Sequence, residues 1–165
     1  MLSVLPSALV LGLVALIALR LSLSRRSPPE NLLARKAVAR ALVFTVGVQS
    51  VHFAEEAATG FHEQFPALFG MPAMPFAVFV LVNLAFLGMW VASVWGVRSA
   101  STAAFFATWF LAIAGMVNGI AHPLLAIAAG DYFPGLASSP ISGGASIWLW
   151  LQLRRATQPM ETPCS

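Results

Sequence analysis

Long apolar segments constrain this chain more than any other feature of its sequence. A helix that crosses the hydrocarbon core of a bilayer needs about 20 mostly apolar residues. Stretches of this kind lie at about 4–23, 38–59, 75–97, 103–129 and 136–153. Only 9% of the 165 residues are charged, whereas a soluble domain has about 25%. The sequence therefore predicts an all-α, polytopic membrane protein with one five-transmembrane-helix bundle at 1–157 and a disordered tail at 158–165.

The basic residues predict the orientation of this bundle. In a five-span arrangement all of them lie at one side of the membrane: Arg20, Arg25, Arg26, Arg35, Lys36, Arg40, Arg98, Arg154 and Arg155. Cytoplasmic loops of membrane proteins carry an excess of Lys and Arg. We therefore expect the N-terminus outside and the C-terminus in the cytoplasm, in the cell inner (plasma) membrane.

The same charges indicate which partners to expect. Nine basic against six acidic residues is a small excess, so the lipid bilayer is the expected partner and nucleic acid is not. The single Cys164 excludes a disulfide framework within the chain and a thiolate metal site. A homo-oligomer stays open at this point.

Residues 49–66 concentrate the few ionisable side chains. They hold two of the three histidines and three of the six acidic residues. His52, Glu55 and Glu56 have the i, i+3, i+4 spacing that places side chains on one helix face. Because adjacent residues differ by about 100° around a helix, we expect one glutamate to face the bundle centre and the other to lie at its flank. Ionisable residues within a span are costly and functional by default; a buried ion-pair network is the alternative.

Two further spans are expected to bring polar groups to the same depth. At 1.5 Å per residue from the predicted outer ends of the spans, His52 and His122 lie about 10 Å deep, Asn83 about 12 Å and Asn118 about 16 Å. Asn118 and His122 share a face because they are four residues apart. Asn83 alone is also typical of polar contacts between helices.

Four short motifs carry a family resemblance. The chain contains "HFAEE" from His52, followed by "FP", then "VNGIAHP" in the fourth apolar segment and "YFPG" after it. In this order they resemble the HXXEE family of small bacterial membrane proteins, over about residues 40–150. That family has no established activity, so the resemblance implies a shared site and no reaction. The implied site residues are His52, Glu55, Glu56, Asn118 and His122.

These residue types favour a metal-dependent membrane enzyme. Histidine nitrogens and carboxylate oxygens are ligands of zinc and of non-haem iron. His52, Glu56 and His122 could form a two-histidine, one-carboxylate set, while Glu55 could act as general base or orient a histidine. The surface pair His62 and Glu63 could extend the set to two metals, or lie in a solvated loop. Residues that orient these groups or bind substrate are expected to be Asn118, Asn83, Gln49 and Tyr132.

The reaction would be hydrolysis or oxidation of a lipid or isoprenoid, because the walls of such a site are apolar. Two alternatives stay open. Without a metal, the histidines and carboxylates could isomerise or cyclise an isoprenoid by acid/base chemistry. A metal- or proton-coupled transporter is the other, although the ionisable residues cluster in one leaflet and the sequence shows no internal repeat.

Overall fold

The chain folds into a bundle of α-helices in the computed structural model, which describes residues 5–159. Two strands of two residues each, Arg25–Arg26 (β1) and Gln158–Pro159 (β2), pair antiparallel. The elements in chain order are α1 Leu5–Ser24, β1 Arg25–Arg26, a 3₁₀ turn Pro29–Asn31, α2 Leu32–Thr59, α3 Phe61–Ala67, α4 Phe76–Arg98, α5 Thr102–Ala129, α6 Ser139–Ala156 and β2 Gln158–Pro159.

Four of these helical segments are long and apolar enough to cross a membrane: Leu5–Ser24, Pro29–Thr59, Phe76–Arg98 and Thr102–Ala129. The predicted all-α membrane architecture is confirmed at this level. The fifth segment also forms a helix, α6, of 18 residues. Its serines, glycines and two arginines make it less apolar than the other four. The count of five spans and the orientation of the termini stay predictions.

Helix α2 begins earlier than its apolar segment suggested. The second apolar segment begins at about residue 38, but α2 starts at Leu32 and continues unbroken to Thr59. The buried guanidinium of Arg35, in the first turns of α2, donates hydrogen bonds to the carbonyls of Pro28, Pro29 and Arg98. These bonds attach the start of α2 to the preceding turn and to the end of α4.

Helix α5 lies at the centre and packs against α1, α4 and α6, while α2 packs against α4 and α6. Glycines allow α5 and α6 to approach each other closely. A Cβ added to Gly119 would lie only 2.8 Å from Cα of Gly143, so α5 and α6 touch backbone to backbone. Gly119 lies one helical turn before His122 in α5. The close contact therefore holds the face with Asn118 and His122 near α6.

The segment that follows α1 meets the C-terminal end of the described chain. Arg25 pairs with Pro159 and Arg26 with Gln158, and the Arg25 side chain donates to the hydroxyl and carbonyl oxygens of Thr157. The first two residues of the predicted tail, 158 and 159, are thus paired. The remainder of that tail, including Cys164, lies outside the described residues.

Candidate metal centre

Two histidines and one glutamate converge in the interior of the bundle. The Nε2 atoms of His52 and His122 lie 3.6 Å and 3.4 Å from Oε1 of Glu56. One ligand atom from each residue lies within 4.8 Å of the other two. All three side chains are buried, with exposures of 0% for His52, 3% for His122 and 5% for Glu56. His52 and Glu56 lie on one face of α2, as their spacing predicts, and His122 of α5 faces them.

The second nitrogen of each imidazole is held by a separate partner. His122 Nδ1 lies 2.6 Å from the carbonyl oxygen of Pro134. A carbonyl only accepts, so Nδ1 carries a proton, and in the neutral ring Nε2 keeps its lone pair. His52 Nδ1 lies 2.8 Å from the Ser138 hydroxyl, and the Asn118 amide donates to His52 Nε2 at 3.3 Å. The hydrogen bonds thus leave both Nε2 atoms unprotonated.

The arrangement consequently points three acceptors at one another. A carboxylate oxygen and two imidazole nitrogens repel in a buried site unless a proton or a cation lies between them. His52 Nε2 accepts from the Asn118 amide at 3.3 Å, so this amide would have to turn away for His52 to bind a metal. Histidines that bind a metal through Nε2 characteristically donate Nδ1–H to a carbonyl or a similar partner. Ligand atoms around a tetrahedral zinc lie about 3.3 Å apart, given bond lengths near 2.0–2.1 Å. The two distances to Glu56 therefore fit a shared metal ion.

The α5–α6 loop, residues 130–138, closes over this cluster. Its Gly135 has φ +87°, a left-handed conformation that favours glycine. A Cβ added there would lie 2.6 Å from Cε1 of His122 and 2.9 Å from Cε1 of His52. No side chain fits between this loop and the two rings, so the loop backbone itself forms one wall of the site.

Glu55 lies at the flank, where it binds the loop and not the cluster. Its Oε1 accepts from the backbone N–H of Ala137 at 2.9 Å, and its Oε2 accepts from the N–H of Ser138 at 2.8 Å. The Tyr132 hydroxyl donates to the same Oε1. Burial, followed by this hydrogen bond, raises the pKa of Tyr132 above its usual range, so the phenol stays a donor at neutral pH. The two adjacent glutamates therefore have different surroundings.

Comparison with known protein families adds one finding. The profile described as "Protein of unknown function with HXXEE motif" matches residues 43–149. The chain belongs to the HXXEE family. No curated protein and no solved structure matches it. The matched region includes α2 from Val43, all of α4 and α5, and the α5–α6 loop, so the whole candidate centre lies within the HXXEE region.

A buried polar seam continues from the HXXEE motif along α2 and α6. Ser142 donates its hydroxyl to Oε1 of Gln49 at 2.9 Å. Thr45 Oγ1 lies 3.3 Å from the carbonyl oxygen of Ala145. Gln49 therefore contacts α6 one turn away from the His52–Ser138 contact. In the described residues it makes no hydrogen bond to the candidate ligands His52, Glu56 and His122.

Three predicted site residues lie elsewhere. The amide of Asn83 donates to the Phe79 carbonyl of its own helix at 3.0 Å, so it bridges neither the HXXEE motif nor another helix through this bond. His62 and Glu63 form a separate pair, 3.4 Å apart, with 68% of the Glu63 side chain exposed. Within residues 5–159, the group able to hold a metal consists of His52, Glu56 and His122, without this pair.

Sequence reasoning missed the parts of the site that come from the loop. Ser138, Pro134 and Gly135 each contact a histidine ring. The "YFPG" motif signalled that this segment matters, but a backbone carbonyl and a missing Cβ have no signature of their own in a sequence.

Aromatic rings surround the centre on its other sides. The Phe61 ring centroid lies 5.8 Å from that of His122, Phe133 lies 6.0 Å from His122, and Phe53 lies 6.3 Å from His52. Phe133 is 1% exposed. The walls of the candidate centre are therefore apolar, while its floor is the polar seam.

Proposed function

We propose that this protein is a membrane enzyme whose reaction centre is a metal ion held by His52, Glu56 and His122. The bundle would cross the bacterial inner membrane five times, with the N-terminus outside and the C-terminus in the cytoplasm. The positive charges at the ends of α1, α4 and α6 support this orientation. The centre would then lie in the outer-leaflet half.

One observation carries the proposal. Both imidazoles turn an unprotonated Nε2 towards the same Glu56 oxygen, at 3.6 Å and 3.4 Å. Their Nδ1 atoms are engaged by Ser138 and by the Pro134 carbonyl. Three buried hydrogen-bond acceptors that face one another repel, so such a cluster favours a bound cation or proton. A zinc or non-haem iron ion with two histidines, one carboxylate and open positions satisfies all three.

The chemistry follows from the ligand set. A bound metal of this kind activates water or polarises a substrate oxygen when it is zinc, and supports oxidation when it is iron. The side chains of this chain supply the rest. Asn118, beside His52 Nε2, can orient a polar group, and the aromatic walls exclude water. Hydrolysis or oxidation is therefore decided by which metal the site binds.

The surroundings support a lipid or isoprenoid substrate. The rings of Phe53, Phe61 and Phe133 lie within 6.3 Å of a histidine ring, centroid to centroid. An apolar chain is favourably transferred to such walls, and its head group would meet Asn118 and the ligands.

Metal content tests the proposal directly. Wild-type protein purified in detergent and loaded with zinc or iron(II) should hold about one ion per chain. His52→Ala and His122→Ala should lose it, whereas His62→Ala, which removes a histidine outside the cluster, should keep it. Metal binding that survives in both cluster variants would exclude this centre. Incubation of the loaded protein with extracted membrane lipids, followed by mass spectrometry, then identifies the product, with Glu56→Gln as the inactive reference.

A second candidate is supported by the same geometry. A proton on Glu56 would also relieve the repulsion, because the carboxylic acid could donate to His122 Nε2, 3.4 Å from Oε1. The centre would then be a metal-free acid/base pair that isomerises or cyclises an isoprenoid. Wild-type protein that stays free of zinc and iron after loading, yet converts an isoprenoid, would favour this reaction over the first.

Transport receives less support. The polar seam from Gln49 to Thr45 is followed along α2 and α6 by Leu42, Leu149 and Leu153, each 0% exposed. Such an apolar layer opposes passage of ions through a single chain. A buried polar cluster that ends within the bundle suits a reaction centre better than a conduction path.

A further inference from the structure

We propose that Glu55 is the positioning residue of the centre: it fastens the α5–α6 loop, and the loop in turn sets the tautomers of His52 and His122. This assignment deepens the proposed metal centre and rests on it for its metal-binding consequence. The tautomer consequence stands without a metal. Glu55, the first glutamate of the HXXEE motif, would thus act through the histidines, neither as a ligand nor as a base.

Every hydrogen bond that Glu55 accepts from another segment comes from one loop. Tyr132 donates its hydroxyl, and Ala137 and Ser138 donate their backbone N–H groups. The two amides lie just before α6 begins at Ser139, where unpaired N–H groups favour a negative charge. Both carboxylate oxygens are therefore engaged, and the carboxylate is used as an anchor.

The segment that Glu55 fastens is the one that orients the imidazoles. Pro134, whose carbonyl accepts from His122, lies between Tyr132 and Ala137 in the chain. Ser138 contacts both partners, since its N–H binds Glu55 and its hydroxyl binds His52 Nδ1. Gly135 presses against both rings. Release of the carboxylate would therefore free both Nδ1 partners at once.

The expected consequence is a change of tautomer. In free neutral histidine the proton prefers Nε2. In this protein the loop holds the His122 proton on Nδ1 through the Pro134 carbonyl, and the ligand nitrogen stays unprotonated. When Glu55 no longer binds the loop, the proton can move to Nε2, and this tautomer cannot bind the metal through Nε2. Loss of a partner that orients a metal-ligating histidine typically lowers metal affinity 10- to 100-fold.

Nitrogen NMR of histidine-labelled protein tests this without any metal. The chain has only three histidines, and His62 serves as an internal reference. In wild-type protein stripped of metal we expect Nδ1-protonated His52 and His122. Glu55→Gln keeps the shape but turns an N–H donor towards backbone N–H donors, so we expect a mixture containing the Nε2–H form. The matched control is Glu63→Gln, which neutralises a largely exposed carboxylate and should leave the spectrum unchanged.

Zinc titration of the same variants provides the second readout. Glu55→Gln should weaken zinc binding 10- to 100-fold, and Glu63→Gln should not. If Glu55→Gln does not fold, Tyr132→Phe removes one donor only and should shift the tautomers in the same direction by a smaller amount. Wild-type tautomers in both folded variants would overturn the inference. Wild-type protein that binds no zinc or iron, but whose tautomers change in Glu55→Gln, would overturn the metal centre and leave the role of Glu55 standing.

Discussion

Replacement of Gly135 by alanine is the sharpest single test of how tightly the α5–α6 loop closes over the site. The added methyl group would lie 2.6 Å from Cε1 and 2.7 Å from Nδ1 of His122, and 2.9 Å from Cε1 of His52. Carbon and nitrogen atoms in contact prefer about 3.5–4.0 Å. The neighbours are two rigid rings, so either the rings or the loop must move.

The expected loss of unfolding free energy in Gly135→Ala has two contributions. The left-handed backbone at φ +87° costs a non-glycine residue about 1–2 kcal/mol. Overpacking of a filled site adds about 1–3 kcal/mol. Gly130 separates the two parts, because its φ is +71° and a Cβ there meets no atom within 4 Å. Gly130→Ala should therefore show the backbone cost alone, and Gly135→Ala should cost about 1–3 kcal/mol more.

Unfolding titrations in mixed detergent would measure the difference between the two variants. Zinc titration would show how much of the cost falls on the ligands. If the full overpacking cost falls on the position of the imidazoles, zinc affinity should fall about 5- to 150-fold in Gly135→Ala. It should hardly change in Gly130→Ala. Equal stability and equal zinc affinity in the two variants would refute the close packing of loop and rings.

Three further predictions concern the ligand carboxylate and the packing of the bundle. Glu56→Gln should lose bound metal with its helical circular dichroism intact, because the amide keeps the shape and removes the charge; retained metal would contradict the ligand role. Gly119→Ala should destabilise the bundle by about 1–3 kcal/mol, since the methyl group would lie 2.8 Å from a backbone carbon of α6. Gly144→Ala, with no atom within 4 Å, should instead be neutral or stabilising by up to about 1 kcal/mol, and unfolding titrations that rank the two the other way would exclude the close contact. Arg35→Lys should cost about 1–3 kcal/mol, because a point charge cannot reach the several carbonyls that the guanidinium binds; wild-type stability would show that these bonds contribute nothing.

The match to the HXXEE family and the positions of the helices agree with the predictions made from the sequence motifs and the apolar segments. The helix boundaries lie within a few residues of the apolar segments, except at the start of α2. That exception has a tertiary cause, since the turn around Arg35 is stabilised by the carbonyl of Arg98, 63 residues away. Local propensity and apolar length could not reveal such a partner.

The sequence by itself determined the helical architecture, the membrane environment and the candidate ligands. Apolar length and helical spacing are local properties, so His52 and Glu56 could be placed on one face, and Asn118 and His122 on another, from their positions alone. These two faces are expected to meet because His52 and His122 lie at the same predicted depth in two long helices.

Only the tertiary structure decided where each glutamate lies. Glu55 and Glu56 are neighbours of the same chemical type, and the sequence left open which of them faces the centre. The choice depends on the α5–α6 loop, whose Ala137 and Ser138 lie 82 and 83 residues from Glu55. Their N–H groups bind one carboxylate at the flank, and the other is left between two imidazoles. A backbone carbonyl and a glycine that admits no Cβ complete the site, and neither can be recognised before the chain has folded around them.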